Sequence, residues 1–336
     1  MRKPSVIVVG GGIIGRSVAW RLAEKSVGTI TLLAGRRPKA SAAAAGMLAP
    51  SFEALHPRAT EASAMVGHAA LGLWDGFAQD LATASDMDID YHRNGIIGLD
   101  LSAERIPGAR EIDPVGALNA SVFTLVEGEG QADPRRLLQA LSVAGDRHAI
   151  TVLEANAVAV EMANGRVTEL ITDERDRLAA DLVIFATGFE TSPISELTPP
   201  LMAVPGRAFS VAGIKDISGG RVMRAADVYF CPKSDGYLYV GATEEPTVAD
   251  DLITGGANSL DDLWQRAIGY WPDLAKGDVV GRFEGVRPAS PTGRPIVERS
   301  ADTDNLIYAL GHDRNGVLLA PWTAQEVLRF VEAFLA

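Results

Sequence analysis

A short apolar run, Val6-Ile7-Val8-Val9, is followed at once by Gly10-Gly11-Gly12-Ile13-Ile14-Gly15. This Gly-x-Gly-x-x-Gly pattern between a strand signal and a helix signal constrains the fold more than any other stretch. Gly10 permits a tight turn, Gly12 lets backbone N–H groups approach a pyrophosphate, and Gly15 lets helix and strand pack closely. The helix N-terminus adds partial positive charge where an anion would sit. A helix over Ile13 to Lys25 carries Ile14, Val18 and Leu22 on one stripe, with Arg16, Arg21 and Lys25 free to face water. Thr29 to Leu33 reads as a second buried strand, completing a dinucleotide-binding opening.

The rest of the chain is broad enough in character to build such a domain and a second one. It has 336 residues, 47% apolar and 22% charged, which is the globular range. The net charge of −12 disfavours nucleic acid or an anionic membrane as the main partner. No apolar run approaches the ~20 residues of a membrane span, and the run after Arg2 and Lys3 is too short for a signal peptide. One cysteine, Cys231, allows no internal disulfide and suits a reducing, cytoplasmic setting, where it reads as a small packed residue. The five histidines are scattered and no metal site is expected.

The order of elements suggests a dinucleotide domain interrupted by antiparallel sheet. A tightly packed loop or short helix is expected over Ala40 to Leu48, and a helix over Thr60 to Ala84. Ile89 to Leu101 reads as a hairpin turning near Arg93-Asn94-Gly95. Asp133-Pro134 starts another helix. Thr151 to Met162 and Arg166 to Thr172 flank Asn164-Gly165 as a hairpin, and Leu182 to Ala186 is a short strand. Ala208 to Ile214, Val228 to Cys231 and Tyr237 to Ala242 are strands, and a last helix runs over Thr323 to Leu335.

One expected group is missing. An acid about 20 residues beyond the glycines ordinarily grips the ribose hydroxyls, yet the position at the end of the second strand is Ala34, and no acid lies between Glu24 and Glu53. Arg36 and Arg37 could meet a 2′-phosphate, giving an NADP protein. Alternatively the ligand is FAD, its ribose held by backbone, Ser41 or water. Solvated surface arginines are the third reading.

From Ser41-Ala42-Ala43-Ala44-Ala45-Gly46-Met47-Leu48-Ala49-Pro50 onward the chain resembles the D-amino acid oxidase superfamily, and within it the glycine oxidases of the thiamine-biosynthesis type. The resemblance continues at Asp133-Pro134, Ala186-Thr187-Gly188 and Val240-Gly241-Ala242-Thr243. It is strong at Gly285-Val286-Arg287-Pro288 with Thr292-Gly293-Arg294-Pro295, and strongest from Gly311-His312-Asp313-Arg314-Asn315 to Pro321. These blocks stand in family order along nearly the whole chain.

That resemblance implies an α/β protein (α+β overall): a Rossmann-like FAD-binding domain with an inserted, mostly antiparallel-sheet substrate domain. The expected division is 1–85, 131–205 and 281–336 for FAD, and 86–130 and 206–280 for substrate. It further implies that Gly10, Gly12, Ile13, Ile14 and Gly15 cradle the pyrophosphate. Ala40, Ser41, Ala44, Ala45, Gly46 and Met47 would flank the flavin or its phosphates, and Val158 would meet the adenine. Thr187 and Gly188 would close the channel, and His312, Asn315, Gly316, Val317 and Leu318 would lie at the flavin's pyrimidine end. Arg287 and Tyr229 would hold a substrate carboxylate, with Arg314, Met47 and Glu244 beside the substrate. The family arginine suits a carboxylate because its planar fork makes two charge-assisted bonds.

The implied activity is FAD-dependent oxidation of glycine or another small amino acid or amine by hydride transfer to the flavin. The products would be a 2-oxo acid, ammonia and hydrogen peroxide, with a place in thiamine biosynthesis. No side-chain acid or base is nominated. The expected partners are the small substrate and oxygen, with no nucleic acid and no membrane span; a homo-oligomer is left open. A sarcosine or D-amino acid oxidase, a flavin dehydrogenase, an NADP-linked enzyme and a catalytically degenerate dinucleotide-binding protein are the alternatives. Three positions depart from the family pattern: Ala34, the Val204-Pro205-Gly206-Arg207 segment and Glu244.

Overall fold

The computed structural model describes residues 3–36, 40–189, 193–241 and 259–336. Arg37, Ala242, Thr243 and Glu244 therefore lie outside the described residues.

A six-stranded sheet forms the centre of the dinucleotide half. Its order is Ile296–Arg299, Leu306–Leu310, Leu182–Phe185, Ser5–Val9, Thr29–Leu33, Thr151–Leu153. Every pairing is parallel except the one between Ile296–Arg299 and Leu306–Leu310. Alternation along Ser5–Val9 sends its side chains to two faces. Val6 and Val8 pack with Val18, Leu22, Val327 and Val331 of two helices, Ile13–Glu24 and Gly316–Leu335. Ile7 and Val9 pack with Leu170, Val183 and Phe185 beneath a three-stranded antiparallel sheet. That small sheet is the expected Asn164-Gly165 hairpin, Ala157–Ala163 with Arg166–Thr172, plus Arg177–Ala179.

The second half is an eight-stranded sheet. Its order is Asp278–Ala289, Met202–Ala212, Leu238–Gly241, Tyr229–Pro232, Val222–Arg224, Ile96–Leu99, Phe123–Val126, Ala109–Glu111. It is antiparallel except between Val222–Arg224 and Ile96–Leu99. Its longest pair, Met202–Ala212 with Asp278–Ala289, runs through both expected boundaries at 205/206 and 280/281.

Four expectations need correction. Ile89 to Leu101 is not a hairpin: Ile96–Leu99 is a fully buried inner strand between Phe123–Val126 and Val222–Arg224, partners remote in sequence. Thr151–Leu153 does not continue the Asn164-Gly165 hairpin; it forms the edge of the parallel sheet beside Thr29–Leu33. The last helix begins at Gly316 rather than Thr323 and carries Pro321 inside it. A proline there forfeits one interior bond, but Val317 to Pro321 are all buried, and the Leu318 carbonyl accepts the Trp74 indole N–H at 2.9 Å. Finally, Arg16 is half-buried and engaged rather than free in water. Its guanidinium donates to the Gly11 carbonyl at 2.9 Å and to the Ser142 hydroxyl at 2.9 Å.

Candidate active site

The glycine loop is shaped by two close approaches. Gly10 has φ of +122°, and a Cβ there would stand 2.1 Å from the Ala186 carbonyl oxygen. A Cβ on Gly15 would stand 1.8 Å from the Gly10 carbonyl oxygen. Only hydrogen fits at either point, so strand, loop and helix are drawn together. The helix that follows has Gly12 at its N-cap, no side-chain cap and no acid in its first turn. Gly316–Leu335 starts the same way, with Asn315 at the N-cap, no capping side-chain bond and no acid in its first turn. Two helix N-termini without a cap from their own N-cap residue therefore bring partial positive charge to one cavity.

That cavity has a volume of about 540 Å³. It runs from the glycine loop, past the alanine segment, to Asp313–Val317, with Tyr229 and Arg287 in its wall. The alanine segment is a short 3₁₀ turn, Ala40–Ala43, leading into Met47–Leu48, which pairs with Gly130–Gln131. It is tied down from three sides. Ser41 Oγ accepts from Ile13 N–H at 3.0 Å, Tyr239 donates to the Ala43 carbonyl at 2.5 Å, and Lys233 Nζ donates to the Ala45 carbonyl at 2.7 Å. Small side chains fixed in this way leave a flat, pre-formed wall, as a planar ring requires.

Most residues expected at the cofactor line this cavity: Gly10, Gly12, Ile13, Ile14, Ala40, Ser41, Ala44, Ala45, Gly46, Met47, Thr187, Gly188, His312, Asn315, Gly316 and Val317. Gly15 supports the loop from behind. Val158 lies just beyond the lining stretch Ala155–Ala157, and Leu318 lies under the helix start with its carbonyl on Trp74. His312 donates or accepts at Thr323 Oγ at 2.9 Å, and burial pushes its pKa down to about 3, so the ring is neutral. Cys231 is fully buried, and burial raises its thiol to about 11, which fits packing and not nucleophilic chemistry.

Of the expected substrate residues, Arg287, Tyr229, Arg314 and Met47 share the cavity. Arg287 lies on Asp278–Ala289, opposite Val204 of the paired strand. Its guanidinium folds back over Gly206, where a Cβ would come within 2.3–2.6 Å of three guanidinium atoms. Nη1 donates to the Pro205 carbonyl at 3.2 Å. Tyr229 is buried; burial raises its pKa, and Arg287 pulls it back down, so the hydroxyl keeps its proton as a donor.

Glu53 was not foreseen. It lies in the Pro50–Glu53 turn and its carboxylate holds two guanidiniums, Arg224 at 2.5 Å and Arg314 at 2.8 Å. Burial alone would raise its pKa, but Arg314 and Arg224 outweigh that and hold it below the usual range. Arg314 is thus fixed by a buried carboxylate beside the cavity. Asn156 and Gly35 also line the cavity unforeseen, at its far end. Arg36 pairs with Glu174 at 3.0 Å on the exposed rim.

Residues 5–329 match the DAO family, described as FAD dependent oxidoreductase. The bifunctional protein ThiO/ThiG of Synechocystis is 31% identical over 95% of this chain, which spans about 50% of that relative's length. A glycine oxidase of Bacillus subtilis is 28% identical over 96% of this chain and 91% of its own. The crystal structure of glycine oxidase from Geobacillus kaustophilus superposes with a TM-score of 0.85 at 23% identity, covering 99% of this chain and 95% of that one.

Proposed function

This chain belongs to the DAO family of FAD dependent oxidoreductases, and on that premise we propose that it oxidises glycine or another small amino acid or amine. With a primary amino acid the reaction consumes substrate, oxygen and water and releases a 2-oxo acid (glyoxylate from glycine), ammonia and hydrogen peroxide. A place in thiamine biosynthesis follows from the likeness to ThiO/ThiG, and a cytoplasmic enzyme fits the single buried thiol. No described helix is long and apolar enough to cross a membrane.

The observation that carries this reading is one cavity with a dinucleotide cradle at one end and Arg287 with Tyr229 at the other. The glycine loop, Ser41 and the start of Gly316–Leu335 would hold FAD, which when bound supplies the two-electron oxidation and its return to oxygen. The protein's own residues do the positioning. Arg287 offers two N–H groups in a plane, and the protonated Tyr229 hydroxyl adds a third donor, so a carboxylate binds in one orientation. Glu53 holds both Arg314 and Arg224, which keeps that wall of the site rigid and leaves it one net positive charge. His312, neutral and engaged by Thr323, adds no charge near a substrate amine.

The test is the absorbance of the purified yellow protein under anaerobic conditions. Glycine should bleach it, and admitted air should restore it with peroxide formed. Sarcosine and D-amino acids rank the substrates. If no small amino acid or amine bleaches the flavin, the proposal fails.

A further inference from the structure

The end of the cavity beyond the glycine loop has no acid on the second strand: Ala34 is buried, its N–H given to the Leu153 carbonyl at 2.9 Å, and Gly35 follows. The space that a side chain at 35 would take is filled from elsewhere. A Cβ on Gly35 would stand 1.8 Å from Asn156 Oδ1, and both residues line the cavity. Asn156 comes from the turn after Thr151–Leu153, the strand that edges the sheet beside Thr29–Leu33.

Asn156 is oriented by one neighbour. Its Nδ2 donates to Asp173 Oδ2 at 2.7 Å, and its backbone N–H donates to Asp173 Oδ1 at 2.9 Å. The Asp173 N–H returns a bond to the Asn156 carbonyl at 3.0 Å. An ionised carboxylate only accepts, so the amide's NH₂ end must face Asp173 and its oxygen must face Gly35 and the cavity. An oxygen that can accept a hydroxyl proton is therefore presented beside Gly35, on the side where the nucleotide's ribose belongs. The rim beside it carries Asp173 and Glu174, the latter paired with Arg36. With Arg36 offsetting Glu174, the described residues leave one net negative charge there, which opposes a 2′-phosphate and suits free ribose hydroxyls.

We propose that Asn156, oriented by Asp173, replaces the missing strand-end acid and accepts a hydrogen bond from a ribose hydroxyl of the adenosine of FAD. A neutral amide makes a weaker bond than a carboxylate, so this chain holds the adenosine half with less affinity than an acid would give. The inference rests on FAD binding and not on the choice of amino acid substrate.

Flavin fluorescence on the full chain tests it without any turnover. Asn156→Ala should weaken FAD binding about 2- to 13-fold, the worth of one hydrogen bond. Binding of FMN, which lacks the adenosine, should stay unchanged. On the unmodified chain, ADP should displace FAD better than its 2′,3′-dideoxy analogue by a similar factor, and 2′-phosphorylated ADP should compete worse than ADP. In Asn156→Ala the preference for ADP over the dideoxy analogue should vanish. FAD affinity within twofold of the unmodified chain overturns the proposal. So does equal weakening of FMN, or equal competition by the dideoxy analogue on the unmodified chain, a measurement that needs no variant to fold.

Discussion

Gly206→Ala separates the positioning of Arg287 from the stability of the sheet that carries it. The new Cβ would stand 2.3, 2.5 and 2.6 Å from Nη2, Cζ and Nη1 of Arg287. Ordinary contact needs about 3.5 Å or more, so the guanidinium must retreat by about 1 Å. It can do so, because these atoms are the far end of a long, flexible side chain. The backbone raises no objection either, since Gly206 is not among the positive-φ glycines. Within a strand, glycine is itself about 0.5–1 kcal/mol less favourable than alanine, so the melting temperature should hold or rise slightly. Binding is another matter. Loss of well-aligned charge-assisted bonds to a carboxylate costs about 1.5–3 kcal/mol, which is roughly a 10- to 150-fold rise in KM at about 1.4 kcal/mol per decade. The assay is peroxide formation with glycine, alongside thermal melting and a small amine that lacks a carboxylate as control. A KM within threefold of the parent would refute the assignment of Arg287 as the anchor. A collapsed melting temperature would refute the claim that the guanidinium can yield.

Two further outcomes follow from the same geometry. Tyr229→Phe keeps the buried ring and removes the hydroxyl donor, so KM for a carboxylate substrate should rise about 5- to 30-fold, with affinity for a carboxylate-free amine unmoved; equal losses for both would count against a carboxylate contact. Glu129 accepts from Ser51 N–H at 2.7 Å through one oxygen, and the other has no hydrogen-bond partner among the described residues. Burial raises its pKa from 4.5 to about 7. Its folded pKa lies above its unfolded one, so its contribution is fully present below about pH 4.5 and is lost as pH rises through about 7. Glu129→Gln cannot ionise and should gain on the parent by about 2–3 kcal/mol between about pH 5 and about pH 8. Chemical unfolding at both pH values measures this, and a gap that does not change with pH would show that Glu129 is not buried as a neutral acid.

Local chemistry was legible wherever a few adjacent residues decide the outcome. The glycine loop, the Asn164-Gly165 turn and the Asp133-Pro134 helix start all stand as read. Asp133 caps its helix through bonds from Arg135 and Arg136 N–H. The errors came where distant chain decides. Arg93-Asn94-Gly95 reads as a hairpin turn, but the true neighbours of Ile96–Leu99 are Phe123–Val126 and Val222–Arg224. The last helix starts at Gly316 and not at Thr323, running through Pro321, whose cost is local while the burial that outweighs it is tertiary. Glu53 had no motif around it; its meaning comes from Arg224 and Arg314, which are far away in sequence.

The sequence by itself determined the dinucleotide cradle, the ordered family blocks and the identity of Arg287 and Tyr229 as candidates. The cradle rests on residue type and short spacing, and the two candidates rest on the family resemblance carried by the ordered blocks. Only the tertiary structure decided what stands in for the acid absent at Ala34, because Asn156 reaches Gly35 through strand pairing and not through sequence proximity. It also decided why Gly206 carries no side chain, since the strand pairing lays the guanidinium of Arg287 across it. Steric and hydrogen-bond complementarity between remote segments has no signature in spacing, and that is where the site's geometry is set.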